Sequence, residues 1–159
     1  MGPLITPVAK ERVEAALERA AADGCSVLRP GRAVMEPLPR GNWVLPAIVH
    51  SVPDGHPIST EELFGPVVCV QHCRDEQQAL DLTNSTGYGL TFSVYGARGS
   101  ASERFLEEVE AGVCHLNLPT SHRHHSLPFG GFGDSGSGEP ECGEAAFQFF
   151  TRTKTVYRA

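Results

Sequence analysis

The chain has 159 residues, 40% hydrophobic and 20% charged, which is enough to bury the core of one globular domain. Thirteen basic residues against nineteen acidic ones give a net charge of −6, so neither nucleic acid nor an anionic membrane is an expected partner. No apolar run approaches a membrane span and the first residues lack the form of a signal peptide, which makes the cytoplasm the expected compartment; five cysteines without Cys-x-x-Cys spacing argue against a disulfide framework or structural zinc.

In chain order, Thr6 is a helix N-cap with Pro7 at the first helical position, and Val13, Ala16, Leu17 and Ala20 recur at helical spacing up to a stop at Gly24. Residues 25–28 are short and apolar, which fits a strand with Cys25 in the core. Residues 29–42 carry Pro, Gly and Arg and read as a surface excursion. Residues 43–52 form a strand pair or a bent strand interrupted by Pro46, and residues 53–57 are a turn cluster.

Residues 58–70 are the stretch around which the chain is organised. A helix begun at Ser59 or Thr60 is broken by Gly65 and Pro66, and residues 67–70 are the β-branched run expected of a strand covered on both faces. Glu62 and Phe64 then sit at the mouth of that strand, although open α/β sheets bind ligands at the carboxyl ends of their strands. The plain structural alternative is a solvated pair, Glu61 and Glu62, beside a packed Phe64.

The pattern then becomes regular. Asp75 caps a helix running to about Asn84, with Ala79 and Leu82 inward and Gly87 beyond it. Residues 90–95 read as a strand, Ser100 or Ser102 opens a helix with Phe105, Leu106 and Val109 as its apolar stripe, and residues 113–118 read as the next strand. Strands near 67, 90 and 113 with helices between them make an α/β fold, a mostly parallel βαβαβ sheet with right-handed crossovers.

The third strand ends at Asn117 and runs into a loop holding His122, His124 and His125, with His115 on the strand itself. Without a carboxylate or cysteine at ligand spacing, no metal site is expected; acid–base work or substrate contact by a histidine is the functional reading, and solvated loop residues the structural one. Five glycines between Gly130 and Gly138 match neither phosphate-loop pattern and read as packing and turn chemistry. Cys69 and Cys73 are expected on one face of one strand and Cys114 at the start of another, as small core side chains. Residues 144–150 form a helical turn or two, and residues 153–157 a strand without a partner in the chain, open to pairing with another subunit.

Several of these segments carry a resemblance. Glu61-Glu62-Leu63-Phe64-Gly65-Pro66-Val67, Asn84-Ser85-Thr86-Gly87-Tyr88-Gly89-Leu90, residues 112–117, and Pro128-Phe129-Gly130-Gly131 with Ser135-Gly136 resemble, in content, order and spacing, consecutive signatures of the aldehyde dehydrogenase superfamily. Gly2-Pro3-Leu4-Ile5 is similar to the segment after that family's nucleophile region, and residues 154–157 to its closing oligomerisation strand. The resemblance implies a chain that starts late in the catalytic domain: residues 1–150 as a partial catalytic domain and residues 151–159 as an oligomerisation strand.

By the same resemblance, Glu62 matches the carboxylate that hydrogen-bonds the nicotinamide ribose and Phe64 the aromatic packed by the nicotinamide. Asn117, His122, His124, His125 and Phe129 match the substrate-lining strand and loop, where the histidines depart from any one substrate class. The family oxidises an aldehyde through a Cys nucleophile, hydride transfer to NAD or NADP and a Glu base. None of Cys25, Cys69, Cys73, Cys114 or Cys142 has the nucleophile's context, and the dinucleotide-binding domain is unmatched. The chain alone is therefore expected neither to bind the cofactor nor to oxidise a small-molecule aldehyde, and to need a missing N-terminal partner or a homo-oligomer. Shifted Glu and Gly positions after Ser135-Gly136 are a further departure. Two alternatives stand beside this: reuse for non-redox acid–base chemistry by Glu62, His124 and His125, and a catalytically dead binding or assembly module.

Overall fold

The computed structural model describes residues 2–29 and 40–159. The fold is mixed α/β, and its contacts divide it into two compact units, Met1–Arg74 and Asp75–Ala159.

In the first unit, helix α1 (Pro7–Ala22) follows from local chemistry at both ends. The Thr6 side chain accepts the Ala9 N–H, and Pro7 occupies a position whose N–H would have no helical partner. At the other end, Gly24 adopts φ +90°, and the N–H groups of Gly24 and Cys25 return to the carbonyls of Ala21 and Ala20, satisfying helix-end acceptors. Val13, Leu17 and Ala20 are buried on the face predicted for them.

That face packs on a three-stranded sheet of β1 (Ser26–Leu28), β2 (Ala47–His50) and β3 (Val67–Val70). β1 and β2 are antiparallel, β2 and β3 parallel, with Val27 opposite Val49 and Val49 opposite Cys69 on the inner face. Cys25 lies in this core as expected. The expectation that β3 is covered on both faces is corrected: the row Leu28, Ile48, Val68 on the opposite face is exposed, Val68 by 60%. A run of Val and Cys shows no period in hydropathy, so its two faces read alike in sequence and differ only in the structure. The short helix α2 (Pro57–Thr60) starts at Pro57, ahead of the predicted Ser59 or Thr60, because the His56 side chain accepts the Ile58 N–H. The excursion expected after Arg29 falls mostly on residues 30–39, outside the described residues.

In the second unit, the Asp75 carboxylate caps α3 (Glu76–Asn84) by accepting the Gln78 N–H. Its buried residue is Leu80, next to Ala79, while Ala79 and Leu82, expected inward, are half-buried. Strands β5 (Thr91–Val94) and β6 (Val113–Leu116) are parallel, connected by α4 (Ser100–Glu108), and the Phe105 ring stacks on Phe92 at 6.2 Å. This is the second βαβ step of the predicted order; β3 belongs instead to the ladder of the first unit. The short strands β4 (Tyr88–Gly89) and β7 (Phe132–Gly133) pair antiparallel, and α5 covers Gly143–Phe150. Residues 151–159 form no strand and are exposed, because a strand exists only against a hydrogen-bonded neighbour and none of the described residues provides one.

Gly65 joins the first unit's helix to its sheet. A Cβ there would lie 2.7 Å from Cγ2 of fully buried Val13, closer than two carbon atoms can come. Gly65→Ala is expected to cost about 1–3 kcal/mol through overpacking, measured as a lowered denaturation midpoint with unchanged slope.

Candidate functional site

The segment from Glu61 to Pro66 projects from the amino end of β3. Three constraints hold it: Arg12 on α1 donates to the Leu63 carbonyl at 2.7 Å, Gly65 abuts Val13, and the Pro66 carbonyl accepts the Ala47 N–H at 2.9 Å. Phe64, between these anchors, takes φ +54°, which turns its ring outward and leaves it 77% exposed. The reading of Phe64 as a packed core aromatic is thereby corrected. Glu62 is exposed, as the solvated reading expects, and together Glu62 and Phe64 line an open depression with Ile58, Val67 and Cys69. An exposed carboxylate beside an exposed aromatic face suits a ligand that carries hydroxyl groups next to a flat ring.

In the second unit, Asn117 closes β6 with φ +57°, a backbone that asparagine tolerates better than most residues. Its amide is committed at both ends: Oδ1 accepts the Gly96 N–H and Nδ2 donates to the Gly96 carbonyl, each at 2.9 Å. Asn117 therefore ties the loop after β5 to the loop after β6. His115, next but one in the chain, is buried to 6% exposure, with Nδ1 3.0 Å from the Phe92 carbonyl and Nε2 2.7 Å from the His122 carbonyl.

The loop beyond Asn117 is exposed but ordered by its own backbone. His122 N–H donates to Pro119, Leu127 N–H to His124, and Gly143 N–H to the His125 carbonyl. The rings of His124 and His125 stack at 4.6 Å, His124 Nδ1 lies 2.6 Å from Ser126 Oγ, and the Arg123 guanidinium sits 5.3 Å over the Phe129 ring. Among the described residues no group of three or more His, Cys, Asp or Glu is placed to hold a metal ion. The structure thus gathers His122, His124, His125 and Phe129 in one loop of the second unit, while Glu62 and Phe64 share a segment of the first.

The glycines that follow serve close backbone packing. A Cβ on Gly112 would lie 1.8 Å from the Gly130 carbonyl oxygen, and one on Gly136 2.0 Å from that of Gly131. No larger residue fits either place, so backbone packing requires these two glycines. The signature around Asn84 also has a structural basis that sequence reading missed: its side chain donates to the Glu108 carbonyl and accepts the Glu110 N–H, joining the ends of α3 and α4. The partners of Asn84 and Arg12 lie 24 or more residues away, so no local signal marks them.

The cysteines sort by environment. Burial pushes the thiols of Cys69 and Cys114 above their ordinary range, the nearby Cys25 adds to the effect at Cys69, and their S–H groups face the carbonyls of Ile58 and Ala111. Cys73 is exposed in the loop beyond β3, which corrects its expected place on the strand face with Cys69: the strand ends at Val70.

Fold and loops together define a mixed α/β protein that offers one carboxylate–aromatic pair and one ordered loop rich in imidazoles. The sequence model of the aldehyde dehydrogenase family matches residues 1–156, and the chain belongs to that family. It is 34% identical over 157 residues to a betaine aldehyde dehydrogenase of Cereibacter sphaeroides, a match spanning 99% of this chain and 32% of that protein. It is 31% identical over 158 residues to the alpha-ketoglutaric semialdehyde dehydrogenase of Bacillus subtilis, with the same coverage. Among solved structures, HpcC of Thermus thermophilus superposes with a TM-score of 0.85 at 33% identity, over 100% of this chain and 33% of that one. A Mycobacterium tuberculosis aldehyde dehydrogenase complexed with NAD+ also gives 0.85, at 27% identity, over 96% and 31%. The chain spans about a third of the length of the relatives it matches.

Two outcomes check this geometry. Asn117→Ala removes both hydrogen bonds to Gly96 and is expected to cost about 1–3 kcal/mol, read from denaturant unfolding. In alkylation by iodoacetamide at neutral pH followed by mass spectrometry, Cys73 is expected to react first. Cys69 and Cys114, whose raised thiol values leave little thiolate at that pH, should gain reactivity only as pH rises above the usual thiol range.

Proposed function

We propose that this chain supplies the ribose-contacting and substrate-loop part of an NAD(P)-dependent aldehyde dehydrogenase, converting aldehydes to carboxylic acids only with the remaining parts of the catalytic machinery. The observation that carries the reading is a family match from residue 1 to 156 that amounts to about a third of each relative. Bound NAD(P) supplies the hydride acceptor. The residues present fit its nicotinamide riboside end: an ionised carboxylate can accept both ribose hydroxyls, and an exposed ring can lie against a flat heterocycle.

On this reading, Glu62 orients the ribose, Phe64 sets the plane of the ring beside it, and Arg12 holds the backbone between them through the Leu63 carbonyl. The loop of His122, His124, His125 and Phe129 contacts the substrate, whereas Asn117 acts through Gly96, as a positioning residue. None of the five cysteines serves as nucleophile, so thiohemiacetal formation falls to another segment. Residues 151–159, exposed along their length with Tyr157 at 93%, are free to add a strand to a second chain, and the working compartment is the cytoplasm. The acid–base alternative requires Glu62 to act with His124 and His125, and no observation favours it.

The test is complementation. The 159-residue chain with NAD and an aldehyde should form no NADH; mixing it with the amino-terminal two-thirds of the Cereibacter enzyme should restore NADH formation. In that mixture Glu62→Gln should raise KM for the cofactor about tenfold, the loss of a charged hydrogen bond. NADH from the chain alone would overturn the proposed dependence on other segments, and silence with every amino-terminal complement tried would overturn the assignment of its role.

A further inference from the structure

From Ala111 to Gly133 the chain contains no acidic residue, in a protein whose net charge is −6. Within that span the one permanently charged side chain is Arg123, flanked by His122, His124 and His125. Its position is built. The turn closed by His122 N–H to Pro119 precedes it and the turn closed by Leu127 N–H to His124 follows it. The His122 carbonyl is set against buried His115, and the His125 carbonyl accepts the Gly143 N–H. Arg123 therefore sits at the tip of an exposed loop whose backbone is already ordered, which reduces the entropy lost on binding a ligand.

Arg123 has a partner that leaves its hydrogen-bonding groups unused. The guanidinium lies 5.3 Å over the Phe129 ring, an attraction through the ring face that uses none of its five N–H donors. Among the described residues no ion pair joins it to a carboxylate. Glu141, the acid bonded to Phe129, meets it through backbone groups, at 2.7 and 2.8 Å. One residue on from Arg123, His124 Nδ1 is engaged within the loop, 2.6 Å from Ser126 Oγ and 3.3 Å from the Ser126 backbone nitrogen.

We propose that this loop binds a carboxylate, so that the substrate is an aldehyde whose other end is anionic, a semialdehyde of a dicarboxylic acid. The substrate class rests on the preceding reading of the chain as part of an aldehyde dehydrogenase; the carboxylate site itself does not. The same geometry disfavours a quaternary ammonium group, which would seek the aromatic face that Arg123 covers and would meet its like charge. The proposed substrate thus differs from the betaine aldehyde in the name of a relative 34% identical to the chain.

The experiment is a titration of the isotope-labelled 159-residue chain with succinate, choline and inorganic sulfate at constant ionic strength, following backbone and imidazole NMR signals. Succinate should give saturable shifts confined to residues 119–129, with affinity reduced about tenfold in Arg123→Gln and partly restored in Arg123→Lys, and choline should give none. Unchanged dispersion of the remaining signals shows that the variants are folded. Absence of saturable succinate binding, equal response to choline, equal response to sulfate or indifference to Arg123→Gln would each overturn the proposal. The readout requires no turnover, so failure of complementation with succinate binding intact would reject the dehydrogenase reading alone.

Discussion

The ring of His115 lies 3.0 Å from the Phe92 carbonyl on β5 and 2.7 Å from the His122 carbonyl in the loop beyond β6. These contacts fasten an exposed loop to a buried strand pair with a single side chain. A neutral imidazole has one N–H to donate and only an imidazolium has two, so burial of this ring against two carbonyls is compensated by at least one hydrogen bond. The consequence reaches the loop, because fixing the His122 carbonyl orients the peptide that leads into Arg123. Asn117 works alongside it, closing the mouth of β6 onto Gly96. Conformations of the loop are thus selected by groups that themselves need not touch a ligand.

The glycines extend the same logic to the rest of the second unit. Gly112 opens β6 against the Gly130 carbonyl, and Gly131 and Gly136 meet backbone to backbone. Contacts at this separation exclude a Cβ on steric grounds alone, so packing requires glycine at these positions. In the first unit one glycine does the equivalent: Gly65 lets β3 begin directly beneath Val13, and the turn before it exposes Glu62 and Phe64. Each unit therefore carries candidate ligand contacts near a glycine that close packing requires.

How much of this was legible in the sequence depended on the range of the interaction. The start, stop and buried face of α1 follow from Thr6, Pro7, Gly24 and a 3.6-residue period, all local, and the structure agrees. The Asp75 cap was equally readable. β3 was found, but its two faces were not told apart, since Val67, Val68, Cys69 and Val70 have similar hydropathy while only alternate residues meet α1. Phe64 reads as a residue at the strand's mouth with a packed ring as the alternative; its positive φ, which no neighbouring residue announces, turns it outward against that alternative. Glu62 and Phe64 were nominated for a cofactor through family resemblance, and Asn117 for substrate contact by the same route. The structure gives Asn117 a partner 21 residues away that no periodicity could reveal.

The candidate ligand contacts of this chain rest on structure rather than on reactive groups. Its two groups of candidate ligand contacts stand on locally satisfied scaffolds: an arginine and a glycine hold the segment of Glu62 and Phe64, while turns and a buried histidine hold Arg123 and its neighbours. Neither scaffold draws on a nucleophile. The thiols at Cys69 and Cys114 are held protonated by burial, the reverse of what attack on a carbonyl requires. Loss of a nucleophile or its base removes orders of magnitude in rate but leaves contacts made elsewhere intact, because binding energy is distributed over the groups that touch the ligand.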